Sequence, residues 1–152
     1  MQDLVRAKLS RQKGIGKMLL ASALPNFRQV KDSGEAKPAA RQKNAIVYCP
    51  AYELDDGVYN DVHRNGGAVV FAFCDLLREN GFRRAIMLSK MRLAFACCRR
   101  SGADFAVCSL ANEGNEARNA RELEAFCAVL GMTQHEKSHA EKTLARLTAK
   151  KK

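Results

Sequence analysis

The stretch GGAVVFAFCDLLRENGFRRAIMLSKMRLAFACCRRSGADFAVCSL, residues 66–110, is where the fold is decided. Its last part, ADFAVCSL (103–110), is apolar on both alternating sets of positions, as a strand covered on both faces must be. Ahead of it, RLAFACCRRSG (92–102) has helical spacing and a stop at Gly102. FRRAIML (82–88) has a continuous apolar end of strand length and reads as another covered strand. In GGAVVFAFCDLLRENG (66–81), Val69, Val70, Phe73, Leu76 and Leu77 fall on one helical face, with Asn80 and Gly81 placed as a C-terminal cap, so this segment reads as a helix.

Working outward, AIVYC (45–49) is a strand stopped by Pro50, and YELDDGVYNDVHRN (52–65) reads as a polar loop. On the other side, EARNARELEAFCAVLG (116–131) is the clearest helix. Leu123, Phe126, Cys127 and Leu130 recur at i, i+3, i+4 and i+7, and Gly131 lies just past the end. A further helix starts at Thr133, whose T-x-x-E spacing to Glu136 is a capping box, and it carries Ala140, Leu144 and Leu147 as its apolar stripe. Strands alternating with helices over short connections imply parallel pairing through right-handed crossovers. The expected fold is therefore α/β, a three-layer sandwich with a short, mostly parallel sheet, a basic N-terminal extension and a C-terminal helix. Residues 25–44, with two prolines and many charges, read as a linker. The expected organisation is an extension and linker over 1–44, an α/β domain over 45–149 and a basic tail over 150–152.

The chain has 152 residues, 47% of them apolar, which suits one domain with a proper core. Its net charge of +10 is unevenly placed. Residues 1–45 carry ten Lys/Arg against three Asp/Glu, residues 46–140 eleven against twelve, and residues 141–152 five against one. A near-neutral body with basic ends suits docking on a polyanion, because Lys and Arg neutralise phosphates and release counterions. Arg41, Lys43, Arg99, Arg100, Lys150, Lys151 and Lys152 are the candidate phosphate contacts. The basic pairs offer no evident interleaved aromatic for base stacking, so contact is expected mainly with phosphates.

Six cysteines without a C-x-x-C pair read as reduced, mostly buried thiols in an intracellular protein. Cys97 and Cys98, beside Arg99 and Arg100, are the pair where a thiolate would be favoured. No run of about 18 apolar residues occurs, so no membrane span is expected. Residues 1–31 hold seven basic residues and one acid, the bias of an organellar transit peptide, but Gly14, Gly16 and Pro25 interrupt the helix such a peptide needs. The expected location is cytoplasmic, with the mitochondrial matrix as the alternative.

Three motifs carry possible chemistry. HEKSH (135–139) fits the H-E-x-x-H spelling of zinc metalloproteases. The capping box accounts for its glutamate, however, and Lys142 and Arg146 share the strip of His135 and His139, where they oppose a divalent ion. Those four side chains read as a solvated face, and no metal is expected. Glu53, Asp55, Asp56, Asp61 and His63 form an acidic loop that would lie beyond a strand end, where clustered carboxylates suit Mg²⁺; solvation alone also explains them. The order of strand, loop and helix here resembles a von Willebrand A type domain without its D-x-S-x-S motif.

RQKGIGKMLL (11–20) resembles the R-x-x-G-x-G segment of the GNAT superfamily of acyl-CoA N-acyltransferases. That resemblance implies a coenzyme A pyrophosphate cradle at Arg11, Gly14 and Gly16. LANEGNEARNARELEAFCAVLG (110–131) is similar to the late strand, asparagine and helix of that family, with Asn112 at the matching place. The two pieces stand about a hundred residues apart, where the family has roughly thirty. The leading expectation is a small basic α/β protein that binds RNA or a ribonucleoprotein surface, without catalysis or cofactor of its own. The alternatives are a GNAT-like acyltransferase and a protein-interaction module with solubilising tails.

Overall fold

The computed structural model describes residues 2–6 and 17–149. Four strands form a parallel sheet in the order β3 (Phe27–Gln29), β4 (Ile46–Tyr48), β5 (Ala68–Ala72) and β6 (Asp104–Cys108). A second parallel pair, β1 (Gln2–Val5) and β2 (Lys17–Leu20), continues past β6. The Leu110 amide donates to the Leu4 carbonyl and the Arg6 amide to the Ala111 carbonyl, both at 2.9 Å. The helices are α1 (Ser33–Ala40), α2 (Asp56–Arg64), a one-turn α3 (Phe73–Leu77), α4 (Gly81–Ser101), α5 (Ala120–Val129) and α6 (Gln134–Thr148). With α1, α2 and α4 as successive crossovers and α5 and α6 following β6, the molecule is the three-layer α/β sandwich that the order of elements implies.

Residues 66–88 differ from the sequence reading. Residues 68–72 are not helical but form β5, between β4 and β6 and buried at every position. A segment apolar at every position satisfies a period of 3.6 as readily as a period of 2, so its helical stripe is uninformative. The β-branched Val69 and Val70 and the aromatic Phe71 then favour the central strand. A Cβ on Gly67 would lie 2.5 Å from the Ala45 carbonyl oxygen, so glycine is needed where β5 enters beside β4.

Residues 82–88 are not a strand but the first turns of the 21-residue α4. A central strand would have to bury Arg83 and Arg84, whereas a helix of Arg, Ala, Met, Leu and Lys exposes them at no cost in propensity. Residues 92–101 form the second half of α4, which ends at Gly102 (φ +74°) as expected. Residues 52–65 are not wholly loop, because Val58, Tyr59 and Val62 give α2 a buried face. Residues 25–44 hold β3 and α1, with Asp32 capping α1 through the Glu35 amide and Ala36, Ala39 and Ala40 buried. Pro38 sits inside α1.

The C-terminal elements follow the sequence pattern. Asn119 and Glu122 make a capping box at the start of α5, and Leu123, Phe126, Cys127 and Leu130 are buried. Thr133 and Glu136 make the second capping box, and Ala140, Leu144 and Leu147 are buried along α6. All six cysteines are free; five are buried and Cys97 is partly so. Among the described residues no helix is long and apolar enough to cross a membrane.

Candidate nucleic-acid interface

In a parallel sheet the strand ends carry the polar groups that chemistry needs, and the C-terminal edge is the first place to look. Here it holds a buried carboxylate, Asp75. The Tyr48 hydroxyl donates to both of its oxygens at 2.7 Å, and the Tyr52 hydroxyl donates to one of them at 2.7 Å. Tyr52 in turn accepts the Ala72 amide at 2.9 Å. Its backbone is left-handed (φ +54°), the conformation in which its ring reaches into the cluster. Burial and the neighbouring carboxylate push both phenols far above their ordinary range. The Cys74 thiol is pushed up to about 12 by burial and then by Asp75.

A second buried carboxylate, Asp3, accepts the Ser109 amide at 2.7 Å and the Ser109 hydroxyl, tying β1 to the end of β6. Burial raises its pKa, against the lowering effect of those bonds. Each carboxylate accepts donors from the strand ends it joins, and beside the Asp75 cluster the Arg6 guanidinium lies 5.0 Å from the Tyr48 ring centroid with its buried Nε unpartnered among the described residues.

The acidic loop is dispersed into ion pairs. Glu53 meets Lys90, Asp55 meets Lys37, Asp56 meets Arg100, and Asp61 meets Arg41 and Arg64. The His63 ring packs about 3.3 Å from where a Gly102 side chain would start. Among the described residues no group of three or more His, Cys, Asp or Glu could hold a metal.

HEKSH is likewise put to structural use. Glu136 closes the α6 capping box and receives Arg99 through two bonds, at 2.6 and 2.7 Å, which holds its carboxyl down at about 2. His139 Nε2 lies 2.8 Å from Asp104 Oδ1, and the Arg146 guanidinium donates to Asp104 Oδ2 at 2.9 Å. The strip expected to be a solvated face therefore anchors α6 to the start of β6, while His135 stays exposed.

Four of the expected phosphate contacts precede strands. Arg41 and Lys43 lie between α1 and β4, and Arg99 and Arg100 end α4 ahead of β6. Both segments sit at the edge where the strands begin, ahead of β4 and β6, which β5 separates. Three of the four are engaged. Arg41 pairs with Asp61, and Arg100 with Asp56. Arg99 holds Glu136 and the Gly131 carbonyl, with its guanidinium 4.5 Å from the Phe95 ring centroid. Lys43 is exposed with no partner among the described residues. Lys150, Lys151 and Lys152, and the Arg11, Gly14 and Gly16 of the acyl-CoA reading, lie outside the described residues. Asn112 follows β6 and precedes α5, and its backbone N–H donates to the Glu116 carboxylate at 2.8 Å.

The structure adds a basic surface that the sequence reading hid inside a strand. Helix α4 contains six Lys/Arg and no Asp or Glu. Its first fully buried residue is Met91, Met87 and Leu88 pack partly buried against the core, and residues 81–86 ahead of them are exposed. Phe82 directly precedes Arg83 and Arg84 and is 81% exposed, so an aromatic does accompany the basic pairs. Leu93, 68% exposed, and Ile86, 42% exposed, lie within about 40° of Phe82 around the helix, opposite the buried strip of Met91, Ala94, Phe95 and Cys98. No protein-family model and no curated protein matches this chain.

Proposed function

We propose that this protein binds RNA, free or on a ribonucleoprotein surface, through its basic surface and without catalysis of its own. The observation that carries the reading is α4, a long acid-free helix whose first turn holds Arg83 and Arg84 exposed and without a carboxylate partner among the described residues. Lys and Arg so placed neutralise phosphates and release counterions. Arg83, Arg84, Lys43 and the final lysines (Lys150 to Lys152) are the readiest contacts. Arg41, Arg99 and Arg100 are less ready, because each must first exchange a carboxylate for a phosphate. Six free thiols suit a reducing compartment, the cytoplasm or the mitochondrial matrix.

The test is the salt dependence of binding to a labelled RNA, with and without the last three lysines. Trimming must stop at residue 150, because Leu144 and Leu147 of α6 are in the core. Loss of those three charges should flatten the slope of log K against log salt by about 2 for a single strand. An unchanged slope removes the tail from the interface, and binding that ignores salt altogether defeats the reading.

A further inference from the structure

We infer that the first turns of α4 form a stacking platform for single-stranded RNA, with the Phe82 ring taking a base and Arg83 and Arg84 taking the flanking phosphates. The inference rests on the RNA-binding reading and makes it specific. Phe82 is the only aromatic among the exposed large apolar side chains of the described residues, and it sits at the outermost turn of the helix. Nothing in the fold uses its ring, whereas Phe71, Phe73, Phe95, Phe105 and Phe126 each pack against another ring.

The cations beside Phe82 are also unexplained by the fold. Arg83 and Arg84 occupy the first turn of α4, where the helix macrodipole disfavours positive charge. Arg84 donates only to the Glu79 carbonyl, and Arg83 has no partner among the described residues. Local rules broken without a structural return point to a ligand that supplies the missing partner. A strand of RNA supplies both parts: anionic phosphates for the guanidiniums and an unstacked base for the ring. A duplex offers the phosphates but not the base. A second copy packing its own α4 here is a poor occupant, because α4 has no acid to meet the cations of its twin.

The experiment uses the full chain and two fluorescein-labelled probes, a uridine oligonucleotide of about fifteen residues and an RNA duplex of similar length, read by anisotropy. Phe82→Ala should weaken single-strand binding about tenfold or more, as expected for one stacked base, with duplex binding and the salt slope unchanged. Phe82→Leu, which keeps apolar bulk, should lose as much, and Phe82→Tyr should retain affinity. The side chain is exposed, so these variants keep the fold.

If the single strand binds wild type and Phe82→Ala equally well, the stacking inference is overturned and the basic-surface reading stands. If neither probe binds wild type, the basic-surface reading falls and takes the inference with it. Binding to vesicles of anionic phospholipid that Phe82→Leu preserves, together with single-strand affinity that Phe82→Leu also preserves, would assign the stripe to a membrane surface and overturn it as well.

Discussion

Helix α4 begins and ends with an Arg-Arg pair, and the two pairs have opposite surroundings. Arg99 and Arg100 sit in the last turn, where the macrodipole favours cations, and each reaches a carboxylate on another helix. Arg83 and Arg84 sit in the first turn, where the macrodipole opposes them, and neither has a carboxylate partner among the described residues. The aromatics follow the same division: Phe95 is buried beneath Arg99, and Phe82 stands in solvent beside Arg83. The last turn of the helix is held by the fold, and the first turn is held out from it. An identical dipeptide is thus a structural device in one place and an unpaired charge in the other, and its partners make the difference.

The comparison can be broken at the ring positions first. Phe95→Ala should cost about 3–5 kcal/mol in urea unfolding, because it empties a site packed by Phe71 and Phe105. Phe82→Ala should stay within about 0.5 kcal/mol of wild type. Comparable losses at both positions would mean that the first turns of α4 are packed after all.

The paired end is sharpened by pH. Glu136→Gln should cost about 1–2 kcal/mol near neutral pH, by breaking the bidentate pair with Arg99 and weakening the α6 cap. The folded carboxyl is depressed to about 2 from an ordinary 4.5. Its contribution is therefore complete above the unfolded value and is lost as pH falls from about 5 towards 2. Unfolding of Glu136→Gln followed over that range should show a shallower acid slope than wild type, and parallel slopes would contradict the pairing.

Charge reversal gives the smallest effect and the cleanest sign. Arg83→Glu should stabilise by about 0.3–1 kcal/mol through the macrodipole, and Arg100→Glu should destabilise. Thermal unfolding at low salt is the measurement, and shifts of the same sign would undo the contrast.

The sequence made much of this legible, though unevenly. The strand at 103–110, the helix at 116–131 and the Thr133 cap were readable because amphipathic spacing, glycine stops and capping boxes are local signals. The exchange of strand and helix over 66–88 was not, because a wholly apolar run has no period to read, and its neighbour's cations favour a helix only once burial is known. That exchange also concealed the candidate site: read as a strand, Phe82 belongs in a core, and on a helix that outruns the sheet it stands exposed. The partners that occupy Arg41, Arg99 and Arg100 lie 20 to 44 residues away in sequence, beyond any local pattern.

On the proposed function the unpaired end of α4, and not the paired end, meets the phosphates. The most direct test measures the affinity of one labelled single-stranded RNA across a range of salt for wild type, for Arg83→Ala with Arg84→Ala, and for Arg99→Ala with Arg100→Ala. The account predicts that the first double variant flattens the salt slope by about 1.4, two single-strand phosphate contacts, while the second leaves the slope close to wild type at some cost in stability. A slope flattened by the second pair and untouched by the first would contradict it.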